Sequence, residues 1–205
     1  MEQLANDGSD RILHAALELF SERGFAAVSV QEIAQHAGLS KATVFHHFPN
    51  KEQLYLAVMR RACLDTSRFT DGVQAASASP LARLREFDSA HLAHLFGHPG
   101  ISRLMLREAM EGEQQVTKAM AEEVMGEHFR RVVALIREGQ TAGLLRADLA
   151  PETAAIAVAG LNVFLFQTWP VLRQLPGGHF ADWQQCGHEL FELLLGGIAA
   201  PGGKE

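Results

Sequence analysis

"GLSKATVFHHFPNK", residues 38–51, compresses a helix start, a helix stop and a second start into one stretch. Ser40 stands where a hydroxyl accepts an orphan amide of a first helical turn. Pro49 carries no N–H and bars that helix from continuing. Asn50 then caps a further helix beginning at Lys51. Between cap and proline the side-chain period places Val44 and Phe48 on one face, facing inward. Ala42 and His46 fall on the opposite side, flanked by Thr43 and Phe45, with Lys41 at the helix end. An outward face of small, polar and flat aromatic side chains suits close approach to base edges in a major groove. The two helix starts at Ser40 and Lys51 are also places where free amides attract phosphate.

Reading outward, "SVQEIAQHAG" (29–38) opens with Ser29 and has Glu32 three residues on, the spacing of a reciprocal capping box. Its helix ends at Gly38, which tolerates a left-handed turn. Upstream, Leu13, Ala16, Leu17 and Phe20 recur at helical spacing from Ser9 to Arg23, and Gly24 is a stop. Two short helices about a glycine turn, with a helix on either side, form a helix-turn-helix unit. Downstream, "DGVQAASASP" (71–80) reads as a junction. Helices are predicted at 80–97, 101–114, 117–142, 151–169 and 180–198, with "PGGH" (176–179) before the last. Nothing alternates as a strand. The expected architecture is all-α with about nine helices: residues 1–50 a helix-turn-helix domain, 51–70 a connecting helix, and 71–205 a second helical domain.

The chain of 205 residues is 47% hydrophobic, enough for one sizeable core or two modest ones, and carries a formal net charge of -6. Residues 23–68 hold six Lys/Arg against three acids, so that segment is +3 and the remainder -9. A positive segment on an acidic body fits a local polyanion surface. The two cysteines, Cys63 and Cys186, show neither disulfide-scaffold nor zinc spacing. No signal peptide is apparent, and the strongest apolar stretch, Ala154–Phe166, is short for a membrane span and contains Asn162. A cytoplasmic protein is expected. No catalytic motif for hydrolysis, nucleotide binding or di-iron chemistry occurs, so neither an enzyme nor a bound cofactor or metal is expected.

Residues 16–55, "ALELFSERGFAAVSVQEIAQHAGLSKATVFHHFPNKEQLY", resemble the DNA-binding domain of the TetR (tetracycline-repressor-like) family of bacterial transcriptional regulators. That family's pattern runs from Phe-x-x-x-Gly-Phe/Tyr to Gly-Val-Ser-x-x-Thr-Leu-Tyr-x-His-Phe-x-x-Lys, and nearly all of it is present at the right spacing. The resemblance implies that Gln31, Ser40, Lys41, Ala42, Thr43, Phe45, His46, His47 and Lys51 face bases or phosphates of an operator duplex. Phe45 replaces the usual Tyr, so a phosphate hydrogen bond gives way to apolar contact with a sugar or a thymine methyl.

The resemblance further implies a homodimer on a pseudo-palindrome, released by a small-molecule effector. Apolar residues of the last two helices, Ile156, Leu161, Phe164, Leu165, Trp183, Leu190, Phe191 and Leu194, are the expected dimer interface. Phe96, Met105, Met110, Met120, Met125, Phe129 and Phe164 are candidate effector lining, since Met and Phe adapt to irregular apolar ligands. His91, His94 and His98 fall within about 60° of one helix face and could meet a metal or polar ligand, although Gly97-His98-Pro99 ends that helix. Cys63 is a weak candidate redox sensor. The alternative reading is a helical small-molecule- or metal-binding protein without sequence-specific DNA binding.

Overall fold

Helix α1 (Glu2–Arg23) starts seven residues before the expected Ser9, running straight through Gly8. It ends at Gly24, whose φ of 79° places the backbone in the left-handed region, with its N–H donating to Phe20 O at 2.8 Å. Helix α2 (Val30–His36) opens with the expected capping box: the Glu32 N–H donates to Ser29 Oγ at 3.2 Å and the Ser29 N–H donates to Glu32 Oε2 at 2.8 Å. Helix α3 (Lys41–His47) is capped by Ser40 and stops at Phe48, whose φ of -132° is already extended. Helix α4 follows at 51–61. The computed structural model describes residues 2–61, 79–112, 117, 118, 120–176, 178, 180 and 182–198, the side chains of 2–7, 111, 123 and 124 excepted. Cys63, residues 62–70 of the expected connecting helix, 71–78 of the junction, and 177 and 179 lie outside the described residues.

The chain divides by contact into two units, Met1–Leu64 with Pro99–Met125, and Asp65–His98 with Gly126–Glu205. In the first, Ile12, Ala16 and Phe20 of α1 meet Ile33 and Ala34 of α2, Val44 of α3, and Leu54, Tyr55 and Met59 of α4 in one core. Helix α6 (Pro99–Glu111) adds Ile101 and Leu104 to that core. Tyr55 sits at its centre, its ring 5.0 Å from Phe20 and 4.7 Å from Phe25, its hydroxyl donating to buried Glu108 Oε2 at 3.0 Å.

The second unit is a bundle of α5 (Pro80–Gly97), α7 (Gly126–Thr141), α8 (Pro151–Leu172) and α9 (Trp183–Ile198). Leu84, Ile136, Val158, Phe191 and Leu195 fill its core. No strand occurs among the described residues.

Element ends depart from expectation where a local signal competes with the helical period. Pro99 opens α6 at its first turn instead of merely ending α5, because the missing N–H is one of the orphans there. Helix α9 begins at Trp183 and not Phe180, since Asp182 Oδ1 accepts the Gln185 N–H at 2.7 Å. Met120–Met125 takes the wider π-helical register ahead of α7, which a 3.6-residue period does not predict.

Helix α8 runs to Leu172 through Pro170, whose disruption falls in the last turn, where little helix remains to be lost. At 22 residues α8 as a whole is long and apolar enough, by length and composition alone, to cross a membrane, a test that a core helix also passes. Within its unit it packs against α5, α7 and α9.

Candidate nucleic-acid interface

Helix α3 is held in place by its two ends and one face. Ser40 Oγ accepts the Thr43 N–H at 3.0 Å and also bonds the Thr43 hydroxyl at 2.8 Å. The preceding turn needs Gly38 at φ 65°, and there the Leu39 N–H donates to Ala34 O at 2.9 Å. From α1, Arg11 Nη2 donates to Ala37 O at 2.6 Å, tying the end of α2 to the first helix. Asn50 Oδ1 accepts the Gln53 N–H at 2.7 Å and so starts α4. Val44 is buried in the core and Phe48 packs against it. The opposite side, Ala42 and His46, is exposed.

Of the nine sequence-named residues, Gln31, Ser40, Lys41, Ala42, Phe45 and His46 are exposed, and Thr43, His47 and Lys51 half-buried. Gln31, Lys41, Phe45 and Lys51 share an open groove of about 420 Å³ with Ala26, Ala27 and Ser29. Ser40, Ala42, Thr43, His46 and His47 do not line it.

The Lys41 ammonium lies 5.7 Å from the Phe45 ring centroid, and the Lys51 ammonium 4.2 Å from that of Phe25. Burial lowers the Lys51 pKa from the usual lysine value, partly offset by Glu52 and Glu32. Glu32 itself is committed elsewhere: hydrogen bonds from Ser29 and Arg23 draw its carboxyl down to about 2. Phe25 and Arg11 were absent from the sequence-derived set. Phe25 was visible as part of the Gly-Phe pair in the quoted motif, whereas the Arg11 contact to a carbonyl 26 positions away left no local signal.

The candidates of the second half are dispersed. Met105, Met110, Met120 and Met125 belong to the first unit, with Met120 in its core, Met105 packed against it, and Met110 and Met125 exposed. In the second unit Phe129 is exposed, and Phe96 stacks on Trp183 at 4.3 Å and meets Phe166 edge-on at 5.4 Å.

Among the dimer candidates Leu165 and Phe191 are buried within their own unit and serve its core, because α8 and α9 turn those positions inward. Leu161, Trp183, Leu190 and Leu194 are half-buried. Ile156 and Phe164 are exposed at 62% and 56%, joined by Leu193 at 76%, which the sequence reading did not include.

His94 and His98 place their rings 4.8 Å apart, whereas His91 stacks under Phe87 at 5.8 Å. Among the described residues no group of three His, Cys, Asp or Glu is arranged to hold a metal ion. Beside His91 lies a polar pair the sequence did not reveal. Asn162 Nδ2 donates to Asp88 Oδ1 at 2.9 Å and to Asp88 O at 3.0 Å, with Asp88 and Asn162 only 3% and 2% exposed.

Comparison with known proteins agrees with the architecture. Residues 12–58 match the profile of bacterial regulatory proteins of the tetR family, and residues 80–187 that of the tetracyclin repressor-like C-terminal domain. The HTH-type transcriptional regulator RutR of Escherichia coli O157:H7 is 29% identical over 77% of this chain and 82% of its own. The HTH-type transcriptional repressor KstR2 of Mycobacterium tuberculosis is 27% identical over 98% of this chain and 100% of its own. The solved structure of FadR from Bacillus subtilis, in complex with stearoyl-CoA, shares the fold with a TM-score of 0.78 at 21% identity, covering 92% of this chain and 98% of that one. With both halves matched in order, the chain belongs to the TetR family of bacterial regulatory proteins, helix-turn-helix regulators of transcription.

Proposed function

We propose that this chain is a ligand-responsive repressor that binds a pseudo-palindromic operator as a homodimer. Residues 1–50 would read the duplex, 51–70 connect, and 71–205 sense and dimerise. The observation that carries the reading is the attitude of α3: Val44 buried, Ala42 and His46 exposed, the helix fixed at both ends and set beside a lysine-lined groove. The nine residues named from the sequence are the proposed contacts, Ala42, Thr43 and His46 to base edges, Lys41 and Lys51 to phosphates. A regulator named as a repressor at 27% identity, and a neighbour solved with stearoyl-CoA, support repression and an effector site in the helical second half. Phe96, inside its aromatic cluster, is the lining candidate carried forward.

The test is a duplex selected by the full chain from a randomised library. Lys41→Ala with His46→Ala is expected to weaken it about 10- to 100-fold and to flatten the salt dependence by about one phosphate contact. Unchanged affinity would remove α3 from the interface.

The exposed apolar residues of α8 and α9 support the dimer, since Ile156, Phe164 and Leu193 lie beside Gly160, Gly196 and Gly197, where a Cβ would meet open space. Close approach of a second copy would cover that face, and the closed two-fold assembly would place two copies of α3 on successive half-sites. Phe164→Glu is therefore expected to give monomers in sedimentation equilibrium and to lose most duplex affinity. A Phe164→Glu chain that stays dimeric would move the interface elsewhere.

A further inference from the structure

The two lysines of the groove are arranged unusually for surface cations. Among the described residues neither Lys41 nor Lys51 forms an ion pair, and each ammonium instead faces an aromatic ring, Phe45 at 5.7 Å and Phe25 at 4.2 Å. Both distances lie within the range where a cation is drawn to a ring face. Two carboxylates act on Lys51 by charge, Glu52 and Glu32, and Glu32 is held by Ser29 and Arg23. Both lysines and Phe45 line the same groove.

We propose that Phe25 and Phe45 are positioning residues whose ring faces hold the Lys51 and Lys41 ammonium groups ready for the phosphodiester strand of a bound duplex. A free lysine gives up about 2 kcal/mol of rotamer freedom when it is fixed on a phosphate. A ring that has already ordered the side chain removes part of that cost before the duplex arrives. The two rings are anchored differently. Phe25 is fixed by the core, 5.9 Å from Phe20 and 4.7 Å from Tyr55. Phe45 is 41% exposed, so its hold on Lys41 is separable from folding. The inference rests on the duplex reading proposed above.

The experiment replaces Phe45 with a series of increasingly fluorinated phenylalanines, which drain charge from the ring face and barely alter its shape. Affinity for the selected duplex is expected to fall stepwise, about 2- to 5-fold across the series. The salt slope should not move, because the number of phosphates met is the same. In a Lys41→Met background the series should become flat. In the free protein the Lys41 ε-methylene resonance should be shifted upfield by the ring and relax to its ordinary position in Phe45→Leu. A flat series in the native background, or one that still declines in Lys41→Met, overturns the proposal. So does a loss on Phe45→Leu with no trend along the fluorinated series, which would assign the ring to apolar contact with sugar or base. A native chain that retains no duplex at all overturns the DNA reading itself.

Discussion

Truncating Tyr55 to alanine is expected to leave the first unit largely unfolded in buffer, while Tyr55→Phe leaves it folded but weakened by about 2 kcal/mol. The ring is 1% exposed and packs edge-on to Phe20 at 88° between planes. Removing an aromatic ring from such a core costs about 3–5 kcal/mol, because the surrounding helices close only partly over the cavity. Loss of the hydroxyl adds a second penalty, since Glu108 would remain buried without the donor that holds its Oε2. The sum approaches the whole stability of an ordinary small domain. Burial and Glu108 both push the phenol pKa far up, so it stays a donor throughout neutral pH. Double replacement, Tyr55→Phe with Glu108→Leu, should recover part of the single-variant losses, as a pair of matched apolar groups leaves nothing unsatisfied. Both tryptophans, Trp169 and Trp183, belong to the second unit. In urea, the helical circular dichroism of Tyr55→Ala should therefore start from a reduced signal already in buffer, while the tryptophan transition moves less. A Tyr55→Ala chain destabilised by less than about 1 kcal/mol would mean that this ring is not the centre of the core.

The contrast between α3 and α6 shows where sequence reading reaches. Ser29 with Glu32, Ser40, Gly38 and Pro49-Asn50 act within three or four residues of themselves, so the helix-turn-helix and its outward face are legible in the sequence. The face that α3 buries follows from Val44 and Phe48 alone. The assignment of α6 to the core around Tyr55 depends on a contact 53 positions apart and leaves no periodic trace. Asn162 is a similar case. In the sequence it only interrupts an apolar run, whereas in the fold it is the donor that satisfies Asp88, 74 positions away. Leu165 and Ile156 were equally apolar in the sequence, and only packing separated a core residue from an exposed one. The lysine–ring pairs were half legible: Lys41 and Phe45 are one helical turn apart, but Lys51 reaches Phe25 through tertiary folding.

Asp88 and His91 should hide each other's pH dependence, so that single replacements reveal opposite trends absent from the native chain. Burial raises the Asp88 carboxyl to about 7, moderated by the Asn162 hydrogen bond and reinforced by Glu192 of α9. Burial lowers the His91 imidazole to about 4, helped by His94 of α5 and His128 of α7. Arg85 of α5 is paired with Glu192 at 2.7 Å, and α8 contributes Asn162. Between about pH 4 and 6.5 the folded chain thus carries a protonated Asp88 and a neutral His91, while the unfolded chain carries a charged carboxylate and a charged imidazole. Each state holds one proton between the two groups, so their joint contribution to stability is flat in that window. Taken singly the signs oppose. Asp88, whose folded pKa is raised, loses stability as pH climbs from about 4 to 7; His91, whose folded pKa is depressed, loses it as pH drops from about 6.5 to 4. Asp88→Asn keeps an acceptor for Asn162 and should gain on the native chain as pH rises, by on the order of 3 kcal/mol across the window. His91→Gln should gain on it as pH falls, by a similar or smaller amount. Because every other titrating group is common to the chains compared, the differences isolate these two sites, and tryptophan fluorescence in urea reads them in the right unit. If the gap between Asp88→Asn and the native chain does not change from pH 4 to 7, the carboxyl is ionised in the fold and the opposed pair does not exist.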